Sequence, residues 1–333
     1  MPTTALPDWL KATWMRSYIK RGPPGGPLGD ADATVAVRYI QTLCGGASFD
    51  LRIAETFSLP AEITCAAELS LEQIQALASG AIEGFVGVTR SETAGDNSWV
   101  VRWHAAWLYP PQLGNGDEPQ AVLAAIAANE HETGDVGRAV PTMPTARSRP
   151  VVHWLEFAPD GSYEEEWKML DDYFKQGAHL AAVRPARSGE GACCLAILGS
   201  TFGFVRDIDR AALPAAALDR SLADVLADDD IALEVKQRLV DCDFSFGYFG
   251  QGGGVGGVVE RSSLPWRKGF ALATLIGEQS DWQPVQPSDE PMLRKALDAI
   301  TADHAKACQA LREAEESGQA GVAEVLRARG ASL

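Results

Sequence analysis

The sequence predicts a mainly β protein with two successive antiparallel β-barrels, a few short helices and a C-terminal helical segment. Three observations lead to this prediction. Short runs rich in β-branched and aromatic residues recur along the chain, separated by Gly, Pro or Asp. The dipeptide Asp160-Gly161 joins two such runs, as in a tight hairpin. From about Asp289 the apolar residues recur instead at helical spacing.

The strand-like runs fall into two groups, and this grouping predicts the domains. We expect an N-terminal barrel over residues 1–175, a second, smaller barrel over 176–285, and a helical tail over 288–331. The length of 333 residues is about two average domains, and a hydrophobic content of 46% is sufficient for a buried core. The predicted strands of the first group lie at 13–21, 34–43, 48–56, 84–93, 98–109, 151–159 and 162–170. Those of the second group lie at 178–186, 192–208, 241–250, 257–266 and 269–277.

Two helical segments are predicted between the strands. The first covers 70–80, where Ser70 and Gln73 have the spacing of a capping box and an apolar stripe follows. The second is a connector at about 218–240.

A long stretch at 110–150 interrupts the first barrel. It contains an Ala-rich helical run at 119–129 and then a polar segment with several Pro and Gly residues. We therefore expect an excursion or lid here.

Charge and composition exclude several classes of partner. The formal net charge of -16 repels both nucleic acid and anionic membranes. No apolar run approaches the roughly 20 residues that cross a bilayer, and the N-terminus does not resemble a signal peptide, so a soluble, cytoplasmic protein is expected. The six cysteines and five histidines have no metal-ligand spacing, and we predict neither a metal nor a cofactor. The helical tail is a candidate surface for a homodimer.

Aromatic residues are concentrated on the predicted strands of the first barrel. Alternation along a strand would place Trp99, Trp103 and Trp107 on one face. The pattern has two interpretations, a packed core and an aromatic-walled pocket for a small hydrophobic or aromatic ligand. The aromatic candidates for ligand contact are Trp14, Trp103, Trp107, Trp154, Tyr163 and Trp167.

Charged residues on the same strands add candidate polar groups. Arg16, Arg38 and Arg52 are candidate pocket residues, because an inward-facing arginine requires a carboxylate partner or an anionic ligand. The candidate acid–base residues are His104, His153, Glu156 and Glu165.

Several short motifs resemble a lipocalin-like family that is best known from a fungal protein made of two successive β-barrels. The likeness spans roughly 10–275, and the stretch at 110–150 and the tail after 288 depart from it. The motifs are TWMRSYIKR, VAVRYIQT, FDLRI, GFVGVT, WHAAWLYPP, HWLEFAPDGSYEEEWKML and DFSFGYFG followed by VVERSSLPWRKG. The resemblance implies a pair of calycin-type barrels and no established reaction. The sequence resembles lipocalin-like cyclases and isomerases more loosely. Neither resemblance assigns a catalytic residue.

Three functions are compatible with these features. The first is a carrier or sensor that binds a small molecule in the barrel. The second is a cofactor-independent cyclase, isomerase or lyase, in which an Arg, His or Glu handles one proton. The third is a protein-interaction module. A cavity that holds a charged residue with a strongly shifted pKa would favour the enzyme. A uniformly apolar cavity would favour the carrier. A barrel filled by its own side chains would favour the protein-interaction module.

Overall fold

A computed structural model describes most of the chain. The described residues are 6–7, 9–41, 47–111, 113, 135–141, 153–170, 179–250, 256–328 and 331. The helical run predicted at 119–129 lies outside them, as does the predicted domain boundary at 175/176. The three predicted domain ranges therefore stay predictions.

Eight antiparallel strands form a closed barrel in the first half of the chain. Each strand pairs with its neighbour in sequence, and β1 pairs with β8 to close the ring. The strands are β1 (Thr13–Arg21), β2 (Val35–Gln41), β3 (Ala47–Ala54), β4 (Ile82–Gly95), β5 (Ser98–Tyr109), β6 (Asp135–Pro141), β7 (His153–Phe157) and β8 (Tyr163–Met169). The prediction of a first antiparallel barrel is thus confirmed.

The β7–β8 hairpin turns where the sequence predicts it. Gly161 has a positive φ of 74°, and the Ser162 amide donates to the Asp160 carboxylate at 3.0 Å. Glycine adopts this backbone region without strain, and aspartate often accepts such a bond in turns.

Strand β6 corrects the prediction of a lid over 110–150 at residues 135–141. Residues 135–141 pair with both β5 and β7 and are part of the barrel wall. The segment is polar and contains Gly137 and Pro141, so its local strand signal is weak. Pairing on both edges supplies the hydrogen bonds that fix it as a strand.

The second half of the chain forms a six-stranded sheet rather than the predicted second barrel. Its strand order is β13-β12-β11-β10-β9-β14, and the described edge strands β13 and β14 do not pair with each other. The strands are β9 (His179–Arg184), β10 (Cys193–Leu198), β11 (Thr201–Arg206), β12 (Asp243–Tyr248), β13 (Val258–Ser262) and β14 (Gln283–Pro284). Other elements cover both faces of the sheet, so it does not need to curl into a barrel to bury them.

The two faces of this sheet have different partners. Cys193 and Leu195 pack with the C-terminal helical segment, whereas Cys194 and Ala196 pack with the outer wall of the barrel. All six residues of β10 are buried, as expected for a strand covered on both sides.

Short helices connect the strands and a long helix ends the fold. The α-helices are α1 (Leu71–Ala78), α2 (Ala215–Leu218), α3 (Leu222–Ala227), α4 (Leu233–Val240), α5 (Leu272–Ile276), α6 (Glu290–Glu316) and α7 (Ala320–Ala328). The predicted capping box at Ser70 and Gln73 is present at the start of α1. The connector at 218–240 consists of short helices, and two helices, α6 and α7, lie within the residues of the predicted helical tail.

One predicted strand is a helix. The run at 269–277 contains α5, and its buried residues Leu272, Leu275 and Ile276 have helical spacing. An apolar run this short is compatible with a strand or a helix when only local pattern is considered, and packing under α6 decides between them.

The barrel and the sheet share one apolar cluster. Phe49 on the outer face of β3 lies 6.3 Å from the Phe244 ring of β12, measured between ring centroids. The Thr13 and Thr201 hydroxyls are 2.6 Å apart across the same junction. A Cβ atom built at Gly203 would lie 2.5 Å from Cγ of Phe49, so the ring rests directly on this glycine.

Helix α6 seals the other face of the sheet through Leu293, Leu297 and Ile300. On α7, Val322 and Val325 are about half exposed. That the helical tail forms a homodimer surface stays a prediction. Within the described residues, no helix is both long enough and apolar enough to cross a membrane.

We expect Gly203→Ala to lower the free energy of unfolding by about 1–3 kcal/mol, because the added methyl group displaces the buried Phe49 ring. Urea unfolding measures the change. The matched control is Gly250→Ala, where nothing lies within 4 Å of the added Cβ. Equal stability of the two variants would contradict the packing of the sheet on Phe49.

Candidate functional site

The barrel interior changes character along β1. Trp14 is completely buried in an aromatic cluster, and Arg16 lies next on the same face with 7% exposure. Beyond them, Ile19 and Arg21 line a cavity, and the Arg21 side chain is 62% exposed. The interior is therefore packed at the Trp14 end and open at the Arg21 end.

Indole rings fill the packed end. Trp154 on β7 and Trp167 on β8 are directly opposite in register, and their rings stack with centroids 5.5 Å apart and planes 8° apart. Trp14 packs edge-on against Trp154 at 6.1 Å. The ring of Trp9, which precedes β1, also packs against Trp154, with the ring centroids 5.8 Å apart. Such pairs stabilise beyond the area that they bury.

Two ion pairs lie in the barrel interior above this cluster. Arg16 Nη1 lies 2.5 Å from Glu165 Oε1, and both side chains are almost fully buried. Arg52 Nη2 lies 3.2 Å from Asp50 Oδ2 on the same strand. Burial raises the pKa of Asp50, and the neighbouring Arg52 opposes that rise. Each of these two guanidinium groups thus has a carboxylate partner; the Arg16 pair is almost fully buried, and the Arg52 side chain is 29% exposed.

A cavity of about 290 Å³ occupies the open end. Aromatic rings and ionisable side chains contribute to its wall in similar measure. The lining residues are Ile19, Arg21, Tyr39, Asp50, Arg52, Phe85, Trp103, Val136, Trp154, Glu156, Tyr163, Glu165 and Trp167.

Glu156 is the third carboxylate of the interior, and it differs from the other two. It is 6% exposed and accepts a hydrogen bond of 2.8 Å from the Tyr163 hydroxyl. No ion pair involves Glu156 among the described residues. Burial, together with the facing carboxylate of Glu165, raises the pKa of Glu156 to about 8.

Gly137 on β6 provides the space that Glu156 occupies. A Cβ atom at this position would lie 2.7 Å from Glu156 Oε1 and 3.0 Å from the Trp103 ring. The carboxylate and the indole therefore approach the β6 backbone closely, which only glycine permits.

Two tyrosine hydroxyls complete the polar part of the wall. The Trp103 indole N–H donates to the Tyr39 hydroxyl at 3.2 Å, and burial raises the pKa of Tyr39. Burial also raises the pKa of Tyr163, and the adjacent Glu156 adds to the shift. Both phenols are neutral hydrogen-bonding groups at physiological pH.

The structure brings most of the predicted pocket residues together. Arg16 is buried beneath the cavity in the pair with Glu165, and Trp14 lies in the packed cluster below it. The predicted residues that line the cavity are Arg52, Trp103, Trp154, Glu156, Tyr163, Glu165 and Trp167.

Trp107 faces the opposite way from Trp103, contrary to the alternation inferred from sequence. The β4–β5 register passes from Val86 opposite Trp107 to Gly87 opposite Ala105, so one residue of β5 is a bulge. The extra residue turns Trp107 to the outer wall, where it packs in the cluster shared with the second sheet. A bulge in β1, between Arg16 and Tyr18, likewise removes Tyr18 from the face that Arg16 shares with Trp14.

Arg38 is also outside the cavity. Its neighbours Val37 and Tyr39 belong to the interior cluster, so alternation directs Arg38 outward. There its guanidinium lies 3.6 Å from the Glu260 carboxylate and 6.0 Å from the Phe246 ring. The second sheet supplies the partner that the sequence does not identify.

Neither candidate histidine lines the cavity. His104 follows the inward Trp103 and therefore lies on the other face of β5. His153 precedes the inward Trp154, is 38% exposed and lies 3.7 Å from Glu166. Of the four acid–base candidates, only Glu156 and Glu165 contact the cavity.

Sequence reasoning missed several lining residues, including Tyr39, Asp50, Ile19 and Phe85. Asp50 had a detectable signal, because it lies two residues before Arg52 and thus on the same strand face. Tyr39 had no such signal in the sequence, because only the observed orientation of β2 shows that the Tyr39 side chain faces the barrel interior. In the described parts of the chain, no three His, Cys, Asp or Glu side chains are grouped as metal ligands.

Comparisons with known proteins add little to this geometry. No protein family matches the sequence, and no curated protein is similar to it. The crystal structure of an uncharacterized protein from Saccharomyces cerevisiae is similar to this chain, with a TM-score of 0.44 and 9% sequence identity. The similarity covers 83% of this chain and 98% of the yeast chain. A likeness this distant indicates neither an activity nor a ligand.

The raised pKa of Glu156 predicts a pH-dependent stability. Glu156 in the folded state holds its proton to about pH 8, whereas in the unfolded chain it loses it near its ordinary value of 4.5. The folded state therefore binds more protons between these values, and its stability falls as the pH rises through this range. Glu156→Gln removes this contribution.

We expect the stability difference between the wild type and Glu156→Gln to change by on the order of 3 kcal/mol between pH 5 and pH 9, with the wild type losing stability. Urea unfolding across this range measures it. Glu166→Gln, on the outer face of β8, should follow the wild-type profile. Parallel profiles for the wild type and Glu156→Gln would contradict the buried, neutral state of Glu156.

Proposed function

We propose that the barrel binds a small hydrophobic or aromatic molecule in its cavity, as a carrier or sensor, in the manner of lipocalin-like barrels. The observation that carries the proposal is the cavity of about 290 Å³ inside a closed barrel, with indole and phenol side chains in its wall. Small-molecule sites have this form: a concave, partly aromatic cavity with a few polar groups that fix orientation.

The packed end of the barrel supports the same proposal. The stacked pair of Trp154 and Trp167 belongs both to the rigid cluster and to the cavity wall. Side chains held in this way lose little freedom when a ligand binds, which reduces the entropic cost of association.

Native mass spectrometry of protein purified from its own host tests the proposal. We expect a retained small molecule on the wild type and its loss from Ile19→Trp, because the larger ring fills the cavity. The control is Val322→Trp on the exposed side of α7, which should retain the molecule. A molecule that stays bound to Ile19→Trp would place the ligand elsewhere, and the proposal would fail.

A second candidate function is a cofactor-independent cyclase, isomerase or lyase. One observation favours it: Glu156 and Glu165 are directly opposite on β7 and β8, and Glu165 is paired with Arg16 while Glu156 has its pKa raised to about 8. An acid whose pKa is close to neutral can both give and take a proton, and neighbouring carboxyls in unlike environments are typical of acid–base sites.

Solvent deuterium incorporation tests this candidate. If Glu156 moves a proton on the bound molecule, the molecule recovered from wild-type protein in heavy water gains carbon-bound deuterium. The same molecule recovered from Glu156→Gln should not. Equal incorporation in the two proteins, or none in either, would leave the barrel a binding protein only.

A further inference from the structure

The charges inside the barrel do not cancel when every carboxyl is ionised. Three carboxyl groups, those of Asp50, Glu156 and Glu165, face two guanidinium groups. The Arg16 side chain is almost fully buried, and the Arg52 side chain is 29% exposed. Arg16 forms an ion pair with Glu165, and Arg52 forms one with Asp50. Glu156 remains, with a phenol as its hydrogen-bond partner. The interior thus contains one carboxyl group, that of Glu156, that forms no ion pair with a cation in the described part of the chain.

The walls around that carboxylate also favour positive charge. Trp103 approaches the same glycine of β6 as Glu156, and Tyr163 bonds to the carboxylate directly. The stacked indoles of Trp154 and Trp167 line the cavity beside them. Aromatic rings attract cations through their quadrupole, and the attraction increases when water is excluded.

We propose that the ligand of this cavity is an organic cation, with its positive nitrogen at Glu156 and its apolar part against the indole rings. This inference rests on the proposed binding function and narrows it to one chemical class. A cationic nitrogen supplies the charge that the interior lacks, and it replaces the proton that Glu156 otherwise holds.

Arg21 does not change this balance. It is the third arginine of the cavity wall, but its side chain is 62% exposed and lies 3.9 Å from Asp32. Water and salt screen a charge at the mouth far more than one in the interior. The guanidinium groups of Arg16 and Arg52 are paired with carboxylates, so an anionic ligand would have to compete with Asp50 or Glu165 for them.

The proposal predicts how binding depends on pH. The charged and titratable groups that face Glu156 are Glu165 and Asp50, which favour its protonated form, and Arg52 and Tyr163, which favour its ionised form. Because the pKa of Glu156 is about 8, the ionised fraction rises about tenfold between pH 7 and pH 9. A cation of constant charge should gain affinity in the same proportion.

Three probes of similar shape test the charge preference. They are benzyltrimethylammonium, a cation at every pH, its uncharged carbon analogue neopentylbenzene, and the anion phenylacetate. Binding is followed by intrinsic tryptophan fluorescence of the full-length protein between pH 6.5 and pH 9.5. We expect the affinity for benzyltrimethylammonium to rise about tenfold from pH 7 to pH 9, and that for neopentylbenzene to stay constant.

Two variants locate the effect. Glu156→Gln should abolish the pH dependence for the cation and leave the binding of neopentylbenzene unchanged. Glu166→Gln, which removes a carboxylate from the outer face of β8, should keep the wild-type pH dependence. If Glu156→Gln does not fold, Tyr163→Phe provides a second test. Loss of its hydrogen bond raises the pKa of Glu156 further, so the midpoint of cation binding should move to higher pH.

The outcomes separate this inference from the function on which it rests. Binding of neopentylbenzene with no pH-dependent gain for the cation overturns the cationic ligand and leaves the aromatic pocket intact. Tightest binding of phenylacetate, with affinity that falls as the pH rises, identifies an anion site and also overturns the inference. If no probe binds the wild type, the proposed function fails together with it.

Discussion

The pairing of β1 with β8 is the constraint on which the rest of the structure depends. This ladder closes the barrel and carries the buried pair of Arg16 and Glu165 across the seam. Separating the strands would leave two desolvated charges without partners, which costs several kcal/mol. The same pairing brings Trp14 against Trp154. It therefore fixes where along the barrel the aromatic cluster ends and the cavity begins. The closed ring and the position of the cavity therefore have one physical origin.

The barrel and the second sheet support each other through apolar contact. The outer face of β3 provides Phe49 to the sheet, and the sheet provides Gly203 and Phe244 to receive it. Helix α6 covers the opposite face of the sheet. As a result the outer wall of the barrel is buried on this side, and a polar residue on it needs a partner from the second sheet. This arrangement explains why Arg38, on the outer face of β2, meets Glu260 rather than a ligand.

Much of the candidate site follows from strand alternation, and the wrong prediction for Trp107 follows from a bulge. Trp154, Glu156, Glu165 and Trp167 were identified because β7 and β8 are short, regular and joined by a defined turn. A single bulge in β5 is sufficient to reverse Trp107, because a shift of one residue exchanges the two faces of a strand. Bulges depend on the partner strand and leave little trace in local sequence.

The sequence by itself determined seven of the eight strands of the first barrel, the hairpin at Asp160-Gly161, the capped helix α1 and the change to helix after Asp289. These features depend on hydrogen bonds and side-chain preferences within a few residues, so short patterns encode them. Tertiary structure decided that the second sheet stays open beneath α6, and that Glu156 is left without a cation among the described residues. Both outcomes depend on contacts between residues far apart in the chain, which no local pattern records.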